Sequence, residues 1–281
     1  MAEEVQYKLG CRKDRVDKRD WKITRMTAAQ VADLPPSFDY TDKMSPVGNQ
    51  LSEGTCVGFA SVDGMKEYQE NEEWKEYKDL SVRYVYDNCK KIDGYPNEEG
   101  TEVRLAMKIL CEKGVCYESC WPYIPGIPGE PCPDADDQAK GFIGDGYWRV
   151  DGPDIIQAMK ETLVANGPIV PGVIVFNGIF NAPGGVVPMP AEGEKWVGGH
   201  AICVVGYDDA KKWFKFKNSW GRTWGDGGYG YMSYDYMAEY LMDVWCAHDK
   251  LGGDKPTPPK WFDWIVNFFR VLFSWFKGKK A

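Results

Sequence analysis

In the first part of the chain, apolar residues recur at helical spacing. A run of small and apolar residues at 57–65 follows a loop rich in glycine and serine, and it predicts the buried start of a helix. Helical periodicity returns at 80–89 and 102–114. Another helix is expected to begin at Pro153, a residue tolerated in a first helical turn, and to end near Gly167.

The pattern then changes to short apolar and alternating runs that predict β-strands. These runs are residues 168–175, 200–207, 212–218, 228–234 and 244–248. Helices followed by strands predict an α+β protein with two lobes. We expect a helical lobe at about 34–150 and a β lobe at about 151–250, with the active-site cleft between them.

Cys56 opens the first predicted helix and is a candidate nucleophile. A thiol at a helix N-terminus lies in the positive end of the helix field, which lowers its pKa and favours the thiolate. Gln50 is six residues upstream, so the intervening loop can turn its amide toward whatever Cys56 attacks. The alternative is that Cys56 is simply a buried packing residue, because free cysteines are among the most buried residues.

The chain has only two histidines, and one of them supplies a partner for this thiol. His200 follows two glycines at the mouth of a predicted core strand, where it is either structural or catalytic. Asn218, eighteen residues later, ends an alternating strand and is suited to orienting an imidazole, with Trp220 placed to exclude water. A cysteine with a distant histidine and asparagine is the expected arrangement of a thiol hydrolase.

These stretches resemble, in the same chain order, three motifs of the papain-like cysteine peptidases: the glutamine-to-cysteine loop, the histidine strand and the Asn-Ser-Trp-Gly segment. The Gly-Gly-His-Ala form resembles cathepsin B, and other parts resemble bacterial, archaeal or viral members. The resemblance covers about 34–248 and implies a helical lobe beside an antiparallel, barrel-like β lobe. It implies no metal and no organic cofactor. The implied catalytic residues are Cys56, His200, Asn218 and Gln50, and the implied substrate-binding residues are Gly100, Gly198, Gly199 and Trp220.

The resemblance implies a polypeptide substrate and thiol-dependent peptide hydrolysis. With no further histidine available, the histidine loop of cathepsin B cannot be present, so we expect an endopeptidase. Two alternatives stay open: another acyl transfer, as in an amidase, isopeptidase or ligase, and a catalytically silent binding module. A net charge of −8 and a pI near 5.0, without a long basic run, argue against nucleic acid as a partner.

The nine cysteines bear on the redox compartment. Secreted family members have a disulfide-bonded cysteine where this chain has Glu53, and no secretory signal peptide begins the sequence. We therefore expect mainly reduced thiols and a cytoplasmic protein. The resemblance leaves one bridge open, Cys89–Cys132, and Cys11 is expected to be free and exposed. No group of cysteines and histidines has convincing zinc spacing.

Two terminal segments lie outside the predicted domain of 34–250. Residues 1–33 are a solvated, mixed-charge segment by default. Their functional interpretations are a short pro-segment that blocks the cleft and a strap that is never removed.

After a Gly- and Pro-rich linker at 251–260, residues 261–281 begin with an aromatic run whose polar positions form one narrow helical stripe and end in several lysines. The pattern of residues 261–277 favours a helix lying on a membrane surface. Docking to a partner protein, self-association and true spanning are the alternatives.

Overall fold

A computed structural model of the chain describes residues 7–24 and 34–249. Helix α1 has three consecutive parts, an α-helical Cys56–Phe59, a π-helical Ala60–Lys66 and an α-helical Glu67–Trp74. The other helices are α2 (Val82–Lys90), α3 (Val103–Glu112), α4 (Ala135–Ala139), α5 (Ile155–Asn166) and α6 (Tyr234–Tyr240). Short 3₁₀ turns are Thr41–Lys43, Lys140–Phe142, Asn177–Ile179 and Pro183–Gly185.

Side-chain caps fix where several helices begin. Ser81, Asp154 and Ser233 each accept a hydrogen bond from the backbone N–H three residues later, at the starts of α2, α5 and α6. The four helices predicted from periodicity are confirmed within a few residues. Helix α6 was not predicted, because its tyrosine-rich sequence continues the preceding strand pattern.

The strands form three sheets. Their bounds are β1 (Cys11–Arg12), β2 (Lys22–Thr24), β3 (Ser37–Asp39), β4 (Thr101–Glu102), β5 (Gly146–Asp151), β6 (Val170–Val175), β7 (Gly198–Ala201), β8 (Cys203–Asp208), β9 (Trp213–Lys217), β10 (Tyr229–Ser233) and β11 (Leu241–His248). The larger sheets have the orders β2-β5-β11-β6-β7 and β10-β9-β8-β3, and a parallel pair joins β1 to β4. The α+β class is confirmed, while these described strands form open sheets rather than a closed barrel. The expected lobe boundary near residue 150 falls inside β5.

The strand predicted at 200–207 is in fact two strands that belong to different sheets. The chain turns at Ile202, whose N–H donates to the carbonyl of Pro171 at 3.2 Å. As a result, β7 pairs with β6, placing His200 opposite Val173, whereas β8 pairs with β9. This turn holds the histidine on the outermost strand of one sheet. The asparagine comes directly after β9, which is a strand of the other sheet.

Hydrophobic packing places the start of α1 against this junction. Cys56, Val57 and Val62 of α1 are fully buried in the same apolar cluster as Ala201 and Cys203. A second cluster lies between α5 and the strands of the β half. The cysteine of one half and the histidine of the other therefore meet where the two halves pack together. Within residues 7–24 and 34–249, no helix is long and apolar enough to cross a membrane.

Candidate active site

The loop before α1 is held against the segment that carries the asparagine. The N–H of Gln50 donates to the carbonyl of Ser219 at 2.8 Å, and the N–H of Gly221 donates to the carbonyl of Gly48 at 2.9 Å. These antiparallel contacts connect the predicted glutamine loop to the predicted asparagine segment. Residues far apart in sequence are thereby brought to one place.

His200 and Asn218 form the pair expected from the sequence. His200 Nε2 lies 2.8 Å from Asn218 Oδ1, and the imidazole stacks on the indole of Trp220 with ring centres 4.7 Å apart. Nδ1 has no hydrogen-bond partner within the part of the chain that the structure describes. Burial lowers the pKa of His200 to about 4, because the charged ring is shielded from water, while the bond to Asn218 acts in the opposite direction. The ring is therefore neutral near pH 7.

Cys56 is fully buried and faces the histidine strand. Burial raises the pKa of its thiol to about 11, and hydrogen bonding by the backbone N–H groups of Ala201 and Gly10 opposes this rise. In this covered state, burial favours the neutral thiol over the thiolate that the helix N-terminus predicts. Loss of solvation outweighs the helix field here.

The side-chain amide of Gln50 has a fixed orientation. Its Oε1 accepts from the Ser219 hydroxyl at 2.6 Å, so the Nε2 hydrogens point the other way. Nε2 donates to the carbonyl of Glu53 and to the carbonyl of Lys8, each at 2.8 Å. A backbone carbonyl of the N-terminal segment therefore accepts the hydrogen bond of the Gln50 amide. If Gln50 is an oxyanion donor, the carbonyl oxygen of a substrate would bind at the same position.

Residues 7–12, which we call the cleft strap, cover this site. Tyr7 stacks on Trp220 with ring centres 4.7 Å apart, and its hydroxyl donates to the Trp220 carbonyl at 3.2 Å. Further along, the N–H of Thr101 donates to the carbonyl of Gly10 at 2.9 Å, and β1 runs parallel to β4. The strap therefore fills the cleft in this structure and removes the candidate reactive groups from solvent.

The three glycines predicted to bind substrate contact the strap instead. A Cβ at Gly100 would lie 2.6 Å from the Gly10 carbonyl oxygen, and one at Gly199 would overlap the carbonyl of Cys11. A Cβ at Gly198 would lie 2.8 Å from the side chain of Leu9. The absence of side chains at these positions permits the close approach of another polypeptide backbone.

The cysteine expectations need two corrections. Cys11 is free but buried, because it lies in β1 against the floor of the cleft. The bridge that the resemblance left open, Cys89–Cys132, is not formed: Cys120 and Cys132 form the disulfide, and Cys89 is a buried free thiol in α2. The proline-rich loop folds back so that the Cys132 N–H donates to the Cys120 carbonyl at 2.9 Å, which brings these two together.

Sequence reasoning did not find what anchors the catalytic loop. Glu53 accepts from both terminal nitrogens of Arg83, at 2.7 and 2.6 Å, and also from the N–H of Gly126. This nearly buried pair cross-links the loop to α2 and to the proline-rich loop. The only signal in the sequence is that Glu53 stands where relatives have a disulfide-bonded cysteine.

A family model described as "Papain family cysteine protease" matches residues 34–245. The chain belongs to this family. Among curated proteins, it is 34% identical over 179 residues to an uncharacterized peptidase C1-like protein of Acanthamoeba polyphaga mimivirus, covering 59% of this chain and 58% of the viral protein. A cathepsin B-like protein of Giardia intestinalis is 25% identical over 241 residues, covering 78% of this chain and 76% of that one.

Among solved structures, this papain-family chain is similar to xylellain, a cysteine protease from Xylella fastidiosa. The TM-score is 0.76 with 29% sequence identity, and the match covers 86% of this chain and 96% of xylellain. The two-lobed architecture expected from the sequence is thus that of the family, with the helices and the open, mainly antiparallel sheets described above.

Proposed function

We propose that this chain is a thiol-dependent endopeptidase that cleaves polypeptides with Cys56 as its nucleophile. The observation that carries the proposal is the hydrogen bond from Gln50 Nε2 to the Lys8 carbonyl. A peptide carbonyl lies on a fixed amide donor, in the cleft that also holds the Cys56 thiol and the His200–Asn218 pair. The site is thus shaped to receive an extended polypeptide backbone.

The proposed mechanism begins when the strap leaves and water reaches the cleft. Solvation removes the main cause of the perturbed pKa values, so the proton of the Cys56 thiol can pass to His200. The thiolate then attacks the scissile carbonyl, and the Gln50 amide with the Cys56 N–H stabilises the oxyanion. His200, oriented by Asn218 and shielded by Trp220, protonates the leaving amine, and water completes hydrolysis of the thioester.

One pair of measurements distinguishes the proposed peptidase from the two other function classes, another acyl transfer and a silent binding module. In the Gly10→Ala chain described in the Discussion, whose strap is displaced, we expect an epoxysuccinyl inhibitor to label Cys56 stoichiometrically and a peptide library to be cut at internal bonds. Labelling without cleavage of ordinary peptides would favour another acyl transfer. Absence of both would favour a silent binding module.

Replacing Gln50 tests the oxyanion role. In Gln50→Ala we expect turnover to fall on the order of 10²-fold, because one preorganised donor to the oxyanion is lost. The measurement is kcat on a fluorogenic peptide. Ser219→Ala is the comparison, because it keeps the Gln50 amide and removes only the hydrogen bond that orients it. Unchanged turnover in Gln50→Ala would remove this residue from the mechanism.

For residues 1–33, we propose the inhibitory interpretation over the permanent strap. Within the described residues 7–24, the strap at 7–12 contacts Gln50 and Trp220 and lies against Gly100 and Gly199. Contacts with the groups proposed for catalysis and substrate binding are expected of an inhibitor. The Discussion gives the test.

For the C-terminal segment, which lies outside the described residues, we propose surface attachment to membranes. The support is its sequence: an aromatic, apolar run at 261–276 with a narrow polar stripe and a lysine-rich end. We expect the full chain to co-sediment with anionic liposomes, and more weakly at high salt. A variant with Trp264→Ser and Phe268→Ser should stay in the supernatant. Equal sedimentation of both would contradict the proposal.

A further inference from the structure

A single disulfide closes the proline-rich loop, residues 121–131. Cys120 and Cys132 form it, and the other seven of the nine cysteines, all within the described ranges, are free thiols. Residues 121–131 contain no helix or strand, so the bridge and side-chain contacts fix the conformation of this loop. Ile124 and Ile127, near its tip, are exposed. Opening the bridge would therefore free a loop that lies largely in solvent.

One side chain of this loop, Tyr123, contacts both ends of the segment that leads into α1. Its hydroxyl donates to the backbone carbonyl of Gln50 at 2.8 Å. The same oxygen lies 2.8 Å from the hydroxyl of Thr55, which then acts as the donor because a phenol carries only one hydrogen. The ring packs edge to face on Phe59, with centres 4.9 Å apart. One phenol thus holds the main chain of Gln50 and the residue directly before Cys56.

The nearly buried Glu53–Arg83 pair also depends on the proline-rich loop. Arg83 donates to the carbonyl of Ile124 at 2.9 Å, and the N–H of Gly126 donates to the Glu53 carboxylate at 2.9 Å. The backbone carbonyl of Glu53 accepts from the Gln50 amide. Displacement of the loop would leave polar groups of this pair without partners and disturb a residue that orients Gln50.

We propose that Tyr123 is a positioning residue for Gln50 and Cys56, and that the Cys120–Cys132 disulfide holds it there, so that reduction of this disulfide lowers turnover. This inference rests on the proposed peptidase function and adds a regulation to it. Turnover then has two opposite redox requirements, because Cys56 must be a free thiol while the bridge must stay closed.

The regulatory step is a thiol–disulfide exchange with a dithiol reductant. One thiolate of the reductant attacks the sulfur of Cys132, the less buried of the two, and the S–S bond breaks with Cys120 leaving as a thiolate. The second thiol of the reductant then displaces Cys132 and closes a disulfide within the reductant. Two electrons and two protons pass to the protein, which gains two thiols.

The first test follows turnover of the full Gly10→Ala chain in glutathione buffers of increasing reducing strength and finally in dithiothreitol. Alkylation and mass mapping give the bridged fraction and the fraction with a free Cys56 thiol in each buffer. Per chain with free Cys56, we expect kcat to fall about 10-fold or more as the bridge opens, while KM changes less than about threefold, because the reacting groups lose their positions. Adding Cys120→Ala and Cys132→Ala should give the low kcat in every buffer.

Tyr123→Phe tests the hydroxyl with the bridge intact. We expect kcat to fall about 10-fold, because the catalytic groups are less well positioned. Tyr117→Phe is the matched control, since that ring packs on Phe142, and its kcat should not change. When Gln50→Ala is already present, Tyr123→Phe should cost at least about threefold less than in the natural background. A role in stability alone would give equal losses in the two backgrounds.

Three results would overturn the proposal: equal kcat for bridged and opened chains, a bridge that stays closed in the folded chain even in dithiothreitol, or a loss in Tyr123→Phe no larger than in Tyr117→Phe. Failure of the peptidase proposal looks different, because then no form of the chain cuts a peptide and Cys56 is not labelled.

The last test does not depend on activity. Amide hydrogen exchange is measured on the natural chain with the bridge closed and after its reduction. Peptides covering residues 50–56 should exchange about 10-fold faster or more once the bridge is open, because the loop that holds them is freed. Peptides covering β8 and β9 are the internal control and should not change. Unchanged exchange at 50–56 in the reduced chain would contradict the proposal.

Discussion

Cys56→Ser is expected to lose peptidase activity by about 10⁴-fold or more. A serine hydroxyl is a close steric replacement for the thiol but is a far weaker nucleophile. The neutral histidine beside it cannot make up for this loss of nucleophilicity. The measurement is kcat/KM on a fluorogenic peptide, made both in the natural chain and in the strap variant described below. The fold should be retained, because the thiol makes only weak hydrogen bonds to backbone N–H groups.

Cys111→Ser is the control for this variant, since Cys111 is a free, partly buried cysteine on α3 outside the cleft. It should keep the activity of the natural chain. If Cys56→Ser retained activity within tenfold, another residue would be the nucleophile. The assignment of the cleft as the active site would then be wrong.

Gly10→Ala is expected to increase the reactivity of Cys56. A methyl group at this position would overlap the backbone of Gly54, in a loop that the Glu53–Arg83 pair holds in place. The strap is therefore the element that must move. Overpacking of this kind costs about 1–3 kcal/mol, which corresponds to about a 5- to 150-fold larger open fraction. The measurement is the rate of Cys56 alkylation, followed by peptide mapping.

Gly141→Ala is the matched control, because a Cβ at Gly141 meets nothing within 4 Å. It should alkylate at the rate of the natural chain. If Gly10→Ala reacted no faster than Gly141→Ala, while circular dichroism showed both to be folded, the strap would not be what shields the thiol.

The rate of Cys56 alkylation in this experiment should also depend on pH. In the covered state burial raises the pKa of Cys56 to about 11, so the thiol is mainly protonated at pH 7 and reacts only when the strap opens. In Gly10→Ala, solvation lets Cys56 and His200 share a proton as an ion pair. Its alkylation should therefore be faster near neutral pH and depend less on pH.

The sequence predicted the chemistry of the site better than its state. The predicted site residues each lie in a local sequence pattern, either a loop before a helix or the end of a strand. Such patterns predict local structure without knowledge of distant contacts. The residues are Gln50, Cys56, His200 and Asn218. In the structure His200 bonds to Asn218, Gln50 bonds to Ser219, and Cys56 lies against the histidine strand, while their catalytic roles stay predictions. The boundaries of the predicted helices were also close, because caps such as Ser81 and Asp154 mark helix starts in the sequence.

What the sequence did not predict depends on contacts between distant segments. Residues 7–12 have no strong periodicity, and their place in the cleft follows from Gln50, Trp220 and Thr101, which are 42 or more residues away. The pKa values follow from that contact, since burial reverses the expected ionisation of Cys56. The turn at Ile202 was missed because an apolar run has no signal for a change of sheet.

The most direct measurement is intact-mass analysis and peptide mapping after treatment with an epoxysuccinyl inhibitor. For the Gly10→Ala chain, the account predicts one equivalent of adduct, located on Cys56, and greatly slowed addition when His200→Ala is introduced. An adduct on any of the other cysteines instead, or none at all in the folded Gly10→Ala protein, would contradict it.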